Sequence, residues 1–185
     1  MKKKISLLLA AIVIAFCGFI ASVLYSSYTL STQIQEHADN MTKYYDKTIT
    51  ENIHPLLTRE RLLPNQKRNA MQIKEMQESM MNAQTLNERM TAIQNVQRSS
   101  QVFLQSARNA SGSLVEDNHL QSFARDMGEQ GSIRKTIEEY NDLAGMLNAQ
   151  KKSLIASLQD EPSQELPLLR FDGSVPDIGK IQLGE

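Results

Sequence analysis

An uncharged run from Ile5 to Tyr25 follows Lys2, Lys3 and Lys4, and it constrains everything after it. At about 1.5 Å rise per residue, about 20 apolar residues cover a hydrocarbon core of about 30 Å, so this stretch alone can cross a bilayer. The expected organisation is a basic cytoplasmic N-terminus at 1–4 and a transmembrane anchor at 5–25. Basic residues precede the run and none follows before Lys43, which favours a cytoplasmic N-terminus and an exported remainder. The expected location is therefore the inner (plasma) membrane, crossed once, with the C-terminal domain periplasmic or extracellular. A cleaved signal peptide starts the same way, but its apolar part is usually about 7–15 residues and ends at a small-x-small site. Ala21-Ser22-Val23 fits that site poorly, with bulky Leu24 and Tyr25 behind it, and cleavage stays open as the alternative. Phe16 sits where a lipid-modified Cys17 would need a small residue, so Cys17 reads as an apolar helix residue. It is the sole cysteine, which leaves the exported part no disulfide.

The residues beyond the anchor suffice for one domain with a core. With Lys2, Lys3 and Lys4 set aside, the net charge moves from −1 to about −4, which argues against a nucleic-acid partner. Tryptophan is absent and the alternation a sheet requires is missing. The expected class is all-α: an N-terminal transmembrane helix continuing into an antiparallel bundle at 26–159, with an irregular tail at 160–185.

Helical spacing carries the rest. Ile34, Ala38, Met41, Tyr45, Ile49 and Ile53 recur at steps of four and three, and this stripe is expected to end at His54-Pro55 because proline lacks an amide hydrogen. Pro64 suits the first turn of the next helix. Its stripe runs through Ala70, Ile73, Met76, Met80, Ala83, Leu86, Met90, Ile93, Val96, Phe103 and Ala107. Thr85-Leu86-Asn87-Glu88 has the pattern of a capping box, so 65–110 is one helix or two, and the bundle has three long helices or four. Asn109 to Ser113 breaks the pattern, and Ser113-Leu114-Val115-Glu116 is a capping box that would start a last helix of about 40 residues. That helix carries Leu120, Phe123, Met127, Ile133, Ile137, Tyr140, Ala144, Leu147, Leu154 and Leu158, with a bend expected at Gly128-Glu129-Gln130-Gly131. Pro162, Pro167, Gly173 and Pro176 exclude helix from the tail, yet Leu166, Leu168, Leu169 and Phe171 are too apolar for a plain disordered end. Part of it is expected to pack on the bundle or on a partner, with Leu168, Leu169 and Phe171 as candidate contacts.

The segment Ile133-Arg134-Lys135-Thr136-Ile137-Glu138-Glu139-Tyr140-Asn141-Asp142-Leu143-Ala144-Gly145-Met146-Leu147-Asn148 resembles the C-terminal signature of the LemA family, which repeats a Tyr-Asn pair seven residues apart. Tyr140-Asn141 matches the first pair. Leu147-Asn148 matches the second with its tyrosine replaced, and Ile133 and Gly128 stand where the family has isoleucine and glycine. The match lies mainly in 128–148; Arg61-Leu62-Leu63-Pro64-Asn65 only echoes the family's N-terminal half. The resemblance implies a membrane-anchored bacterial helical-bundle protein without established enzymatic activity, with Ile133, Tyr140, Asn141, Leu147 and Asn148 as structural motif residues.

Two Glu-x-x-His pairs, Glu51/His54 and Glu116/His119, have the spacing of carboxylate-bundle metal sites. Against a metal, Ile53 and Leu120 hold the apolar stripe, His54 adjoins a proline, and acidic residues near a helix start are favoured by its dipole. Met71, Met76, Met80, Met81 and Met90 offer thioether sulfur for Cu(I), but helical spacing makes them packing residues. The reading is therefore no cofactor. No hydrolase or transferase pattern, Gly-rich phosphate loop or small-molecule site stands out. Asn40-Met41-Thr42 and Asn109-Ala110-Ser111 match glycosylation triplets that matter only in a secretory eukaryote. The expected function is a non-enzymatic envelope scaffold or adaptor that binds another envelope protein or itself. Its rival is an accessory sensory bundle that binds a ligand and signals to a membrane receptor.

Overall fold

The computed structural model describes residues 2–58, 62–108, 117–128, 132–150, 152 and 165–169, with side chains from Ile12 onward, Ser132 apart. The chain is all-α, with five helices and no strand among the described residues: α1 (Lys2–Leu57), α2 (Pro64–Asn82), α3 (Leu86–Arg108), α4 (Asn118–Met127) and α5 (Ser132–Gln150).

Helix α1 runs unbroken for 56 residues, about 84 Å at 1.5 Å per residue. Its two parts meet different surroundings. Ile12, Val13, Ile14, Phe16, Phe19, Ile20 and Leu24 are exposed, so these side chains are not covered by any of the described residues, and this part is long and apolar enough to cross a membrane. Tyr25 and Tyr28 follow, also exposed. From Ile34 onward the expected stripe is buried throughout, with Leu56 added at its end. The helix passes Pro55 and stops at Leu57 instead of ending at His54. A proline so near the terminus deprives only one carbonyl of its donor, which a last turn tolerates.

The other helices pack around that outer half: α1 touches α2, α3, α4 and α5. Gln66 of α2 donates from Nε2 to the Ser106 carbonyl near the end of α3 at 3.2 Å, which fixes these two helices as antiparallel neighbours. Arg89 at the start of α3 pairs with Asp39 of α1. Glu139 lies 3.8 Å from His37, and Gln150 bonds both Ser26 and Ser27, so α5 descends α1 towards its apolar part. The result is an up-down bundle of four long elements whose fourth is broken into α4 and α5. Its core runs from Ile34 to Leu147 along the helices, takes in Leu169, and includes an edge-to-face contact of Phe103 and Phe123, with ring centroids 6.2 Å apart.

The alternatives left open by the spacing resolve locally. Residues 64–108 form two helices, and Thr85 and Glu88 are the reason. The Thr85 hydroxyl accepts from the Glu88 amide at 3.2 Å, while the Glu88 carboxylate accepts from the Thr85 and Gln84 amides at 3.1 and 3.0 Å. Those two amides hold the Glu88 carboxyl below the usual range. The last helix, expected as one piece from Ser113, instead begins at Asn118, where the Asp117 carboxylate accepts from the His119 amide at 2.9 Å. The Ser113 box lies outside the described residues. The expected bend is a break: Gly128 ends α4, and a Cβ there would stand 3.0 Å from the Ala124 carbonyl oxygen. Gly145 differs, since a Cβ would meet nothing within 4 Å, so no close helix contact requires it.

Candidate functional site

Helix α5 presents two stripes side by side. Ile133, Ile137, Tyr140, Ala144 and Leu147 enter the core, and Asn141 and Asn148 form the neighbouring stripe, half-buried. Across that second stripe lies the extended segment Glu165 to Leu169.

A primary amide carries a donor and an acceptor side by side, the same pair that a residue's own N–H and C=O present. Asn141 uses both on one residue: Nδ2 donates to the Leu169 carbonyl at 2.7 Å, and Oδ1 accepts from the Leu169 amide at 2.8 Å. Asn148 repeats the arrangement on Leu166, at 3.1 and 3.0 Å. Between them the Tyr140 hydroxyl donates to the Pro167 carbonyl at 3.1 Å. Proline suits the middle position, because it favours extended backbone and brings no amide hydrogen that would need a partner.

The spacing follows from two repeats that agree. Seven residues of α-helix advance about 10.5 Å, and three residues of extended chain advance about 9–10 Å. Asparagines seven apart therefore face backbone units three apart, with the segment antiparallel to α5. Leu169 drops its side chain into the core at 2% exposure, whereas Leu168 points out at 53%. Burying Leu169 contributes about 2 kcal/mol, with five hydrogen bonds added. Lys152 and Glu165 close the lower end with an exposed ion pair at 2.8 Å, a minor contribution. Burial pushes the Tyr140 phenol up to about 12, so it stays a donor across the neutral range.

The motif residues thus divide. Tyr140, Asn141 and Asn148 converge on the tail, while Ile133 and Leu147 are core residues. Both asparagines meet the chain's own backbone. Of the three candidate contacts, Leu169 is buried on the bundle, Leu168 is exposed, and Phe171 lies outside the described residues.

Three residues of the two Glu-x-x-His pairs, Glu51, His54 and His119, are described. His54 Nε2 lies 3.0 Å from Gln77 Oε1, Glu51 is exposed beside Lys47, and the His119 amide caps onto Asp117. Glu116 lies outside the described residues, among which no three His, Cys, Asp or Glu side chains group as metal ligands would. The methionines scatter: Met80 and Met90 are core, Met76 packs at its edge, and Met71 and Met81 face out.

Two buried polar sites were not legible from apolar spacing. Gln77 takes the inward position next to Met76; its Nε2 donates to Asp46 Oδ1 at 2.7 Å and Thr50 Oγ1 at 3.0 Å, joining α2 to α1. Tyr45 and Gln97 bring a buried hydroxyl and amide oxygen into the α1–α3 contact, neither with a hydrogen bond of ordinary geometry. Desolvation holds the Tyr45 phenol protonated well above its usual range, with Gln97 acting weakly the other way. Comparison with models of protein families, with curated proteins and with solved structures finds no match to this chain.

Proposed function

We propose that this chain is a single-pass, membrane-anchored helical scaffold of LemA type, with a cytoplasmic N-terminus, that acts by protein–protein contact in the cell envelope and without catalysis. The observation that supports it is the continuity of α1, whose exposed apolar part passes without a break into a stripe that organises the whole core. A bundle built on the same helix as its anchor is held at a fixed height and orientation. That arrangement suits presentation of a surface, not turnover of a substrate. The motif resemblance in α5 supports the same reading, since its tyrosine and asparagines hold the protein's own architecture together.

The test is site-specific photo-crosslinking in intact membranes from exposed positions on different faces, Met71 on α2, Val102 on α3 and Met146 on α5. The expected result is a discrete product with one envelope protein from one face and none from the others. Only diffuse products from all three faces, in a chain that remains membrane-bound, would overturn the scaffold reading.

A further inference from the structure

The groove on α5 reads backbone. Asn141 and Asn148 engage the amides and carbonyls of Leu169 and Leu166, Tyr140 engages the Pro167 carbonyl, and only the Leu169 side chain is deeply enclosed. Such a groove selects an extended segment with a leucine at its last position, as strand-addition sites take affinity from main-chain bonds and specificity from one or two pockets. We propose that it is an exchangeable peptide-docking site, and that its occupant in trans is residues 165–169 of a second copy of this chain.

Three observations carry this. The segment known to fit is this one, with Pro167 lowering the entropy lost on docking. Residues 151–164 connect it to α5, about 14 residues that can reach up to about 50 Å. Return to the chain's own groove needs far less, because Leu166 docks beside Asn148, close to the end of α5. Gln150 bonds Ser26 and Ser27 immediately after the apolar part of α1, so every anchored copy carries its groove at the same height. Confinement to one plane then raises the effective concentration of neighbouring tails. This last point rests on the proposed anchoring.

The experiment uses the full chain in phosphatidylethanolamine–phosphatidylglycerol vesicles. Light chains carry a photo-crosslinking residue at the exposed position 168 and are mixed with ¹⁵N-labelled wild-type chains before illumination. Exchange predicts that light tail peptides become joined to heavy α5 peptides, in a share that rises with the proportion of heavy chain. Replacing Asn141 and Asn148 by alanine in the heavy chain alone should abolish that share without altering light-to-light products. Exclusively light-to-light products at every ratio, in chains that float with the vesicles, would overturn exchange and leave the anchored scaffold standing. Failure to float would remove the anchoring and the proposal with it.

Discussion

Asn141 illustrates how much one side chain contributes when it imitates a backbone. Its amide is matched to both polar groups of Leu169, so alanine removes two bonds and aspartate does worse. An aspartate oxygen would face the Leu169 carbonyl where a donor had been. We expect Asn141→Ala to weaken docking of the tail by about 1–2 kcal/mol, read as roughly five- to thirty-fold faster hydrogen exchange at the Leu169 amide. Asn141→Asp should exceed it, and exchange within α3 should not change. Tyr140→Phe keeps the ring and removes one donor, a loss of about 1 kcal/mol. Its pH dependence has a definite sign. The folded phenol titrates near 12 and the unfolded one near 10, so its contribution is complete below about pH 10 and lost as pH rises towards 12. Wild-type protein should therefore lose stability more steeply than Tyr140→Phe between pH 10 and 12. Periodicity and the LemA resemblance singled out Tyr140, Asn141 and Asn148, but their partner was not legible. An extended segment of five residues has no helical period, and its register depends on a three-to-seven match visible only when both elements are together.

At the scale of elements, spacing located the helical stretches, and local hydrogen bonds at Thr85, Asp117 and Gly128 mark boundaries within them. The stripe of α1 is buried residue for residue, yet the proline rule placed its end too early, because a proline in the last turn forfeits little. Apolar residues alone put Met76 on the inner face of α2, whereas Gln77 occupies it, since Asp46, Thr50 and His54 supply partners from α1. The capping box at Thr85 separates α2 from α3, and Thr85→Ala should cost about 1 kcal/mol in chemical denaturation. Glu88 adds a dependence of opposite sense to that of Tyr140. Its depressed carboxyl contributes fully above its unfolded value and is lost as pH falls through the lower, folded one. Gly145 sits in open space within α5, so Gly145→Ala should raise stability by about 0.5–1 kcal/mol, seen as a higher denaturation midpoint with unchanged slope.

For the whole molecule, the unbroken α1 ties three things to one axis: an apolar stretch left exposed by the described residues, a four-element core, and a tail clasped beside the junction. The apolar run and the outer stripe were each legible, and their union in one helix follows from the absence of any breaker between Tyr25 and Ile34. Which side of a membrane the bundle occupies is the claim on which the scaffold proposal depends. It is tested most directly with single cysteines in a Cys17→Ser chain, at Lys3 before the apolar run and at Lys74 on the exposed face of α2. Cells with an opened outer barrier and a sealed inner membrane are treated with a membrane-impermeant maleimide. The account predicts that the cysteine at 74 reacts at once and the cysteine at 3 only after the inner membrane is permeabilised. Protection at 74, or immediate reaction at both positions, would contradict it.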